Sequence, residues 1–322
     1  MLLENADWPI FGWSSDMRPM LSAARSRNAS VVLATLVAAE GPSPRPPGAQ
    51  MLFEGNRAYG FLSGGCLEAD LANHAAEVME QGQAKVVIYG NGSPWIDIRL
   101  VCGGRVEIVL ERLTPDDPAV GILLNAWRAR RAILWRSVDG SHAVLPDSGD
   151  APLHRLGDAS YQRPYLPPSR LVTVGADPIA LAIARLAADA GLESILLHAH
   201  PAENSPEILN GVTVMAGDPA TSLAALRLDR WTAVAAATHD PELDSPVVAK
   251  ALASPTFYVG AIGARSRVPD RRQALAEAGV AEDAIARLHA PMGIDGCGKA
   301  PWEIAISVLA DVLRHRPAST FM

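Results

Sequence analysis

Between residues 170 and 315 short apolar runs alternate with helical stretches, and this rhythm directs the chain toward a parallel sheet with helices on both faces. Leu171–Val174 predicts a first strand, Pro178–Ala190 an alanine-rich helix and Ser194–Leu197 a second strand. Val212–Met215, Ala233–Ala237 and Thr256–Gly260 continue the strands, with helices near 219–227, 245–253, 266–278 and 301–315. The order is that of the Rossmann-like, doubly wound dinucleotide-binding architecture.

The phosphate turn of that architecture departs from its usual form. The first strand runs into Gly175-Ala176-Asp177-Pro178-Ile179-Ala180, so aspartate stands where G-x-G-x-x-G/A has its second glycine. A carboxylate there adds bulk and like charge against a pyrophosphate. Asp177 followed by Pro178 reads instead as an N-cap with proline at the first helical position. The acid that would hold a ribose after the second strand is replaced by His198-Ala199-His200. Both departures count against ordinary NAD(P) binding, and the fold by itself leaves the function open.

The first half has a different grammar. Residues 31–39 form an apolar run rich in β-branched residues, and two short strands follow, which suggests a mixed sheet. Leu67, Leu71, Ala75, Val78 and Met79 then recur at helical spacing, and this helix ends near Gln81-Gly82. Lys85–Tyr89 and Arg105–Glu111 predict two more strands. After a helix around 118–130 and a strand at Ala132–Arg136 comes a loop-like stretch that closes on Pro164, Pro167 and Pro168. The expected fold class is α/β: an N-terminal mixed α+β domain over 1–113, a connecting segment and linker over 114–168, and a Rossmann-like parallel-sheet domain over 169–322.

In the first domain, Ser63-Gly64-Gly65-Cys66-Leu67-Glu68 sets a thiol in a glycine-rich loop just before the helix. Backbone N–H groups in such a loop, aided by the helix dipole, can converge on an anion such as a phosphate. A net charge of −7 and a pI near 5.6 argue against an extended nucleic-acid surface, so an anionic ligand has to be held locally. The three cysteines, Cys66, Cys102 and Cys297, are too few and too widely spaced for a disulfide framework or a zinc pattern, and read as reduced thiols. With no apolar run of about 20 residues and no leader-like N-terminus, a soluble cytoplasmic protein without membrane contact is expected.

Several motifs, in order along most of the chain, resemble the XdhC/CoxI family of accessory factors for molybdenum hydroxylases. They are Gly41-Pro42-Ser43-Pro44-Arg45-Pro46-Pro47-Gly48, the Ser63–Glu68 loop and Cys102-Gly103-Gly104-Arg105. In the second half follow Thr238-His239-Asp240 with Asp244, Gly260-Ala261-Ile262-Gly263-Ala264-Arg265, and Leu288–Asp295 leading into Pro301-Trp302-Glu303-Ile304-Ala305. The resemblance implies a chaperone rather than a metabolic enzyme. Such a protein binds molybdenum cofactor, as molybdopterin or its cytosine dinucleotide, and protects it during sulfuration. It then helps insert it into a xanthine dehydrogenase or aldehyde oxidase-like apoenzyme. Members are often homodimers and work with a cysteine desulfurase.

On this resemblance Ser63, Gly64 and Gly65 are candidate backbone donors to the cofactor, and Cys66 a contact to the metal or its terminal sulfur. The alternative is a tight turn with a small buried thiol. Arg45 is a candidate for a phosphate or pterin oxygen, against a solvated loop arginine. Cys102 and Gly103 offer a second thiol-bearing loop, or a structural cysteine at a strand mouth. His239 and Arg265 follow strands that end at the carboxyl edge of the parallel sheet, where doubly wound folds place ligands; a turn histidine at a helix start is the alternative for His239. Cys297 beside Lys299 is either an extra thiol or incidental. Two other classes stay open: an NAD(P)-dependent oxidoreductase, and an assembly scaffold that holds no cofactor.

Overall fold

The computed structural model describes residues 14–63, 65, 67–91, 93, 103–201 and 207–317. They fall into two compact units, one up to Pro167 and the other over Pro168–Pro317.

The first unit opens with helix α1 (Arg18–Ser26) and strands β1 (Val31–Glu40), β2 (Gln50–Glu54) and β3 (Arg57–Gly60). Helix α2 (Glu68–Gln81) and strands β4 (Lys85–Gly90) and β5 (Arg105–Leu113) follow. These strands form a five-stranded sheet in the order β3-β2-β1-β5-β4, and every pair is antiparallel. The mixed sheet expected from sequence is therefore corrected. The apolar run of β1 reports that both faces are covered, and that pattern does not carry strand direction. Val32, Ala34 and Leu36 pack with Leu71, Ala75 and Val78 of α2, while Val31, Leu33 and Val37 face the opposite way into a second core. Gly82 ends α2 in the left-handed conformation and its N–H returns to the carbonyl of Val78.

The second core is closed by α1, helix α3 (Pro118–Arg128) and a four-stranded antiparallel sheet. Its strands are β6 (Ile133–Val138), β7 (Ser141–Pro146), β8 (His154–Arg155) and β9 (Tyr161–Tyr165), in the order β7-β6-β9-β8. Three of these strands lie where sequence suggested loop. Their weak signal has a physical origin: β7 is half-exposed along its length and β8 has two residues. The turn between β6 and β7 did carry one, since Asp139-Gly140 both have positive φ (49° and 79°), as a two-residue hairpin requires.

The second unit alternates strand and helix. It comprises β10 (Arg170–Val174), α4 (Pro178–Asp189), β11 (Glu193–His198), β12 (Val212–Ala216), α5 (Pro219–Ala225), β13 (Thr232–Ala236) and α6 (Pro241–Leu252). Then come β14 (Tyr258–Ala261), α7 (Val268–Glu277), α8 (Glu282–Ala286), β15 (Leu288–His289) and α9 (Pro301–His315). The strands are all parallel, in the order β12-β11-β10-β13-β14-β15. This is the expected Rossmann order, with its reversal between β10 and β13. Leu171, Leu196, Ala233 and Ala235 pack against α4 and α9; Val172, Val174, Ile195 and Val234 pack against α5 and α6.

Candidate functional site

The antiparallel register brings the first-domain motifs to one end of the five-stranded sheet. Glu40, the end of β1, and Gly90, the end of β4, both pair with Arg105 at the start of β5, and Gly60 at the end of β3 pairs with Met51. The loop after Glu40, the loop after Gly60 and the Gly103-Gly104 entry to β5 thus leave the sheet together. Their contact is close. A β-carbon on Gly104 would overlap the Pro42 carbonyl, and one on Gly90 would overlap the Gly104 carbonyl. The arginine loop is held from the other sheet, where Arg163 Nε on β9 donates to the Gly48 carbonyl at 3.0 Å. Of the site residues expected from sequence, Gly64, Cys66 and Cys102 lie outside the described residues.

Glu68 organises the loop that precedes α2. Its fully buried carboxylate accepts from the backbone N–H of Leu62 (3.0 Å) and Ser63 (2.8 Å) through one oxygen. The other oxygen takes the N–H of Gly65 (2.8 Å) and Leu67 (3.2 Å) and the Ser63 hydroxyl (2.6 Å). Burial pushes the pKa of this carboxyl up, but the Ser63 hydroxyl and the converging N–H groups prevail and hold it below the usual carboxylate range. The backbone donors of this loop do converge on an anion, the chain's own Glu68 carboxylate. The donors of Ser63 and Gly65 are thus engaged by Glu68 and shape the loop from within. Glu68 stands in the sequence motif, yet its position one residue into a helix gave no sign that it would fold back over the loop.

Arg45 presents the opposite situation. Its guanidinium stacks over the Phe61 ring at 4.4 Å and donates from Nη2 to the Ser15 hydroxyl at 2.8 Å. Its Nε is buried without a hydrogen-bond partner, and among the described residues no carboxylate pairs with it. Burial lowers its pKa from the usual arginine value. A half-buried guanidinium whose Nε lacks a partner and which no carboxylate faces among the described residues keeps donor capacity for an anion. Gly103 lies exposed at the same sheet end with open space where a side chain would be.

In the second unit the switch point between β10 and β13 is occupied by a contact between His239 and Asp177. His239, left-handed at φ 61° in the turn after β13, sets Nε2 3.2 Å from Asp177 Oδ2. Asp177 also caps α4 by accepting from Ala180 N–H at 2.8 Å, as its sequence position predicts. Beside it a cleft of about 600 Å³ is lined by His239, Ser245, Gly263, Arg267, Arg271 and Pro291, among others. Buried Asp244 borders it, accepting from the Thr238 hydroxyl (2.7 Å) with Arg271 at 3.4 Å. Its pKa is raised by burial against the opposing pull of Thr238 and Arg271. Arg265, expected to join His239, instead pairs with Asp295 at 2.5 Å, both side chains being largely exposed. It stands between the lining residues Ala264 and Arg267 without lining the cleft, and Arg267 and Arg271, one helical turn apart, are the arginines that do. Sequence spacing pointed to Arg265, and the arginines that line the cleft are Arg267 and Arg271.

The described residues contain no helix long and apolar enough to cross a membrane. Comparison with known proteins gives a consistent picture. The XdhC Rossmann domain matches residues 171–312, and the XdhC and CoxI family matches residues 24–90. The chain is 33% identical over 288 residues to the molybdenum cofactor insertion chaperone PaoD of Escherichia coli, covering 88% of this chain and 83% of that protein. It is 25% identical over 328 residues to a probable xanthine dehydrogenase subunit of Bacillus subtilis, covering 92% and 96% of the two chains. A crystal structure described as a xanthine dehydrogenase from Bacillus halodurans shares the fold, with a TM-score of 0.74 at 22% identity over 92% of this chain and 95% of that one. With its matching motifs and its parallel-sheet unit, the chain belongs to the XdhC and CoxI family.

Proposed function

We propose that this protein is a chaperone that carries molybdenum cofactor and delivers it to a molybdenum hydroxylase of the xanthine dehydrogenase or aldehyde oxidase type. The observation that carries the reading is half-buried Arg45, its Nε without a hydrogen-bond partner and no carboxylate facing it among the described residues, at the sheet end where the loops of the family motifs emerge together. The named activity of the relative PaoD supports the same assignment. Molybdopterin supplies a terminal phosphate and a dithiolene-bound metal, so its recognition needs a cation and room for sulfur chemistry.

In this reading Arg45 takes the phosphate, with Phe61 holding the guanidinium flat and Gly103 leaving room for the ligand's approach. Cys66 contacts the metal or its terminal sulfur, and Cys102 is the second thiol. Glu68 keeps the backbone donors of the first loop occupied, so that the loop holds one shape whether or not cargo is present. In the second unit, taken by itself, the cleft beside His239, with Arg267 and Arg271, suits an anionic nucleotide group. Arg265 keeps only a supporting place there, through Asp295. Sulfur supply by a cysteine desulfurase, a homodimeric state and a cytoplasmic location complete the proposal on the strength of the family resemblance.

The test is the composition of the protein isolated from cells that make the cofactor. Pterin and molybdenum should be present in equal amounts. Protein that carries neither, yet still promotes maturation of the target enzyme, would show a scaffold without cargo; NADH binding in place of pterin would favour an oxidoreductase.

A further inference from the structure

A second cluster of metal-ligating groups lies in the parallel-sheet unit and has no part in the cofactor site proposed for the first. Asp311 and His315 are four residues apart on α9, so helical geometry stacks them on one face. His289 reaches the same place from β15, the edge strand of the sheet. His289 Nδ1 is 3.7 Å from Asp311 Oδ2, and His315 Nδ1 is 3.4 Å from Asp311 Oδ1. The three ligand atoms all lie within 4.8 Å of one another. Donors bound at about 2.0–2.2 Å around a tetrahedral ion sit roughly 3.3 Å apart, so modest side-chain movement closes this set on one centre.

The surroundings have the features of a built site. Asp311 is 4% exposed, and its Oδ2 accepts from the Tyr258 hydroxyl at 2.8 Å and from Gly293 N–H at 3.3 Å. Those contacts orient the carboxylate as outer-shell partners do. The Tyr258 ring stacks on His289 at 4.4 Å, fixing that imidazole, and the two histidine rings meet edge to face at 4.3 Å. Both imidazoles keep about a third of their side-chain surface open, which provides an entry path. Two groups compete for the place. Arg314 Nη2 lies 3.5 Å from Asp311 Oδ1 on a side chain that is 69% exposed and free to swing away, and His315 Nδ1 lies 2.9 Å from the Asp311 carbonyl. Coordination by His315 exchanges that contact for the metal or uses Nε2 after a ring flip.

We propose that His289, Asp311 and His315 bind a divalent first-row transition ion, with water in the remaining position. Two imidazoles and one carboxylate favour zinc, cobalt, nickel or iron over magnesium or calcium, which take oxygen donors. The ion joins the edge strand of the sheet to the last helix and is separate from any molybdenum carried as cargo.

The experiment titrates the full-length protein, its cysteines alkylated beforehand, with Co(II) and then displaces the cobalt with Zn(II). One equivalent of cobalt should give a visible d–d band, lost on adding zinc. His315→Ala, on the open side of the cluster, and His289→Gln should each weaken binding about tenfold or more; Tyr258→Phe should weaken it less. Circular dichroism identifies any variant that fails to fold, and the remaining one then decides. Absence of cobalt binding at millimolar concentration, or binding unchanged in the folded histidine variants, overturns the proposal.

Discussion

Replacing Glu68 by glutamine tests whether the loop before α2 is shaped from within. The substitution keeps the side chain's size and turns one carboxylate oxygen into an NH2 group. One oxygen of Glu68 accepts two backbone N–H groups and the other accepts two more together with the Ser63 hydroxyl. Whichever oxygen becomes nitrogen, at least two buried donors then face a donor. Each stranded donor costs about 1–3 kcal/mol, and partial relaxation of the loop makes the sum smaller than its parts, so a loss of about 2–4 kcal/mol is expected. Urea unfolding followed through the first unit measures this, and hydrogen exchange at the amides of Leu62, Ser63, Gly65 and Leu67 localises it. Because the folded pKa is depressed, the carboxylate's contribution is complete above the unfolded value of about 4.3 and is lost as pH falls through the folded value. The variant should lack that acid-dependent part. A loss below about 1 kcal/mol with the four amides still protected would refute the argument, since stranded donors cannot be that cheap.

Other consequences can be checked independently. His142 lies between Asp117 (2.6 Å) and Glu111 (3.2 Å), and although burial lowers its pKa, those carboxylates raise it to about 9. Its stabilisation, up to about 3 kcal/mol, is therefore complete below pH 6.5 and lost as pH rises toward 9; urea midpoints across that window should fall for the native protein and stay flatter for His142→Gln. Gly104→Ala forces a β-carbon into the Pro42 carbonyl. It should lower stability by about 1–3 kcal/mol and reduce bound cofactor together, with unchanged melting and cofactor content as the contrary result. Asp177→Asn keeps an acceptor for the cap on α4 and should cost less than about 0.5 kcal/mol, whereas Asp177→Ala should cost about 1 kcal/mol. Equal losses in thermal melts of the two would mean that the contact with His239, and not the cap, is what stabilises this turn.

The parallel-sheet unit was readable in sequence because a sheet covered on both faces writes its strands as apolar runs and its helices as 3.6-residue patterns between them. Asp177 could be read as a cap for the same reason: capping is a local interaction with a side-chain signature. The four-stranded sheet was not legible, since β7 alternates weakly and β8 is too short to have a period. The candidate site was legible in part. The motifs around Arg45, Ser63 and Gly103 each stood out, but their convergence depends on β1, β3, β4 and β5 meeting in one register, and no local pattern encodes that. The same holds for Glu68 and for Arg267 rather than Arg265 lining the cleft, where one backbone direction decides which neighbour faces it. The His289–Asp311–His315 cluster joins residues from an edge strand and a distant helix, so only two of its three members, the i,i+4 pair on α9, are neighbours in the chain.

On the proposed function, the loop-bearing end of the five-stranded sheet holds the cofactor through Arg45 and Cys66. The most direct measurement is the pterin and molybdenum content of Arg45→Ala and Cys66→Ala, each purified beside the native protein and Arg265→Ala from cells that make the cofactor. Loss of one charge-assisted hydrogen-bonding group is worth about 1.5–3 kcal/mol, roughly 10- to 150-fold in affinity. Arg45→Ala and Cys66→Ala should therefore come away with little or no pterin while remaining folded, and Arg265→Ala should retain it. Full pterin and molybdenum in both of the first two variants would contradict the claim.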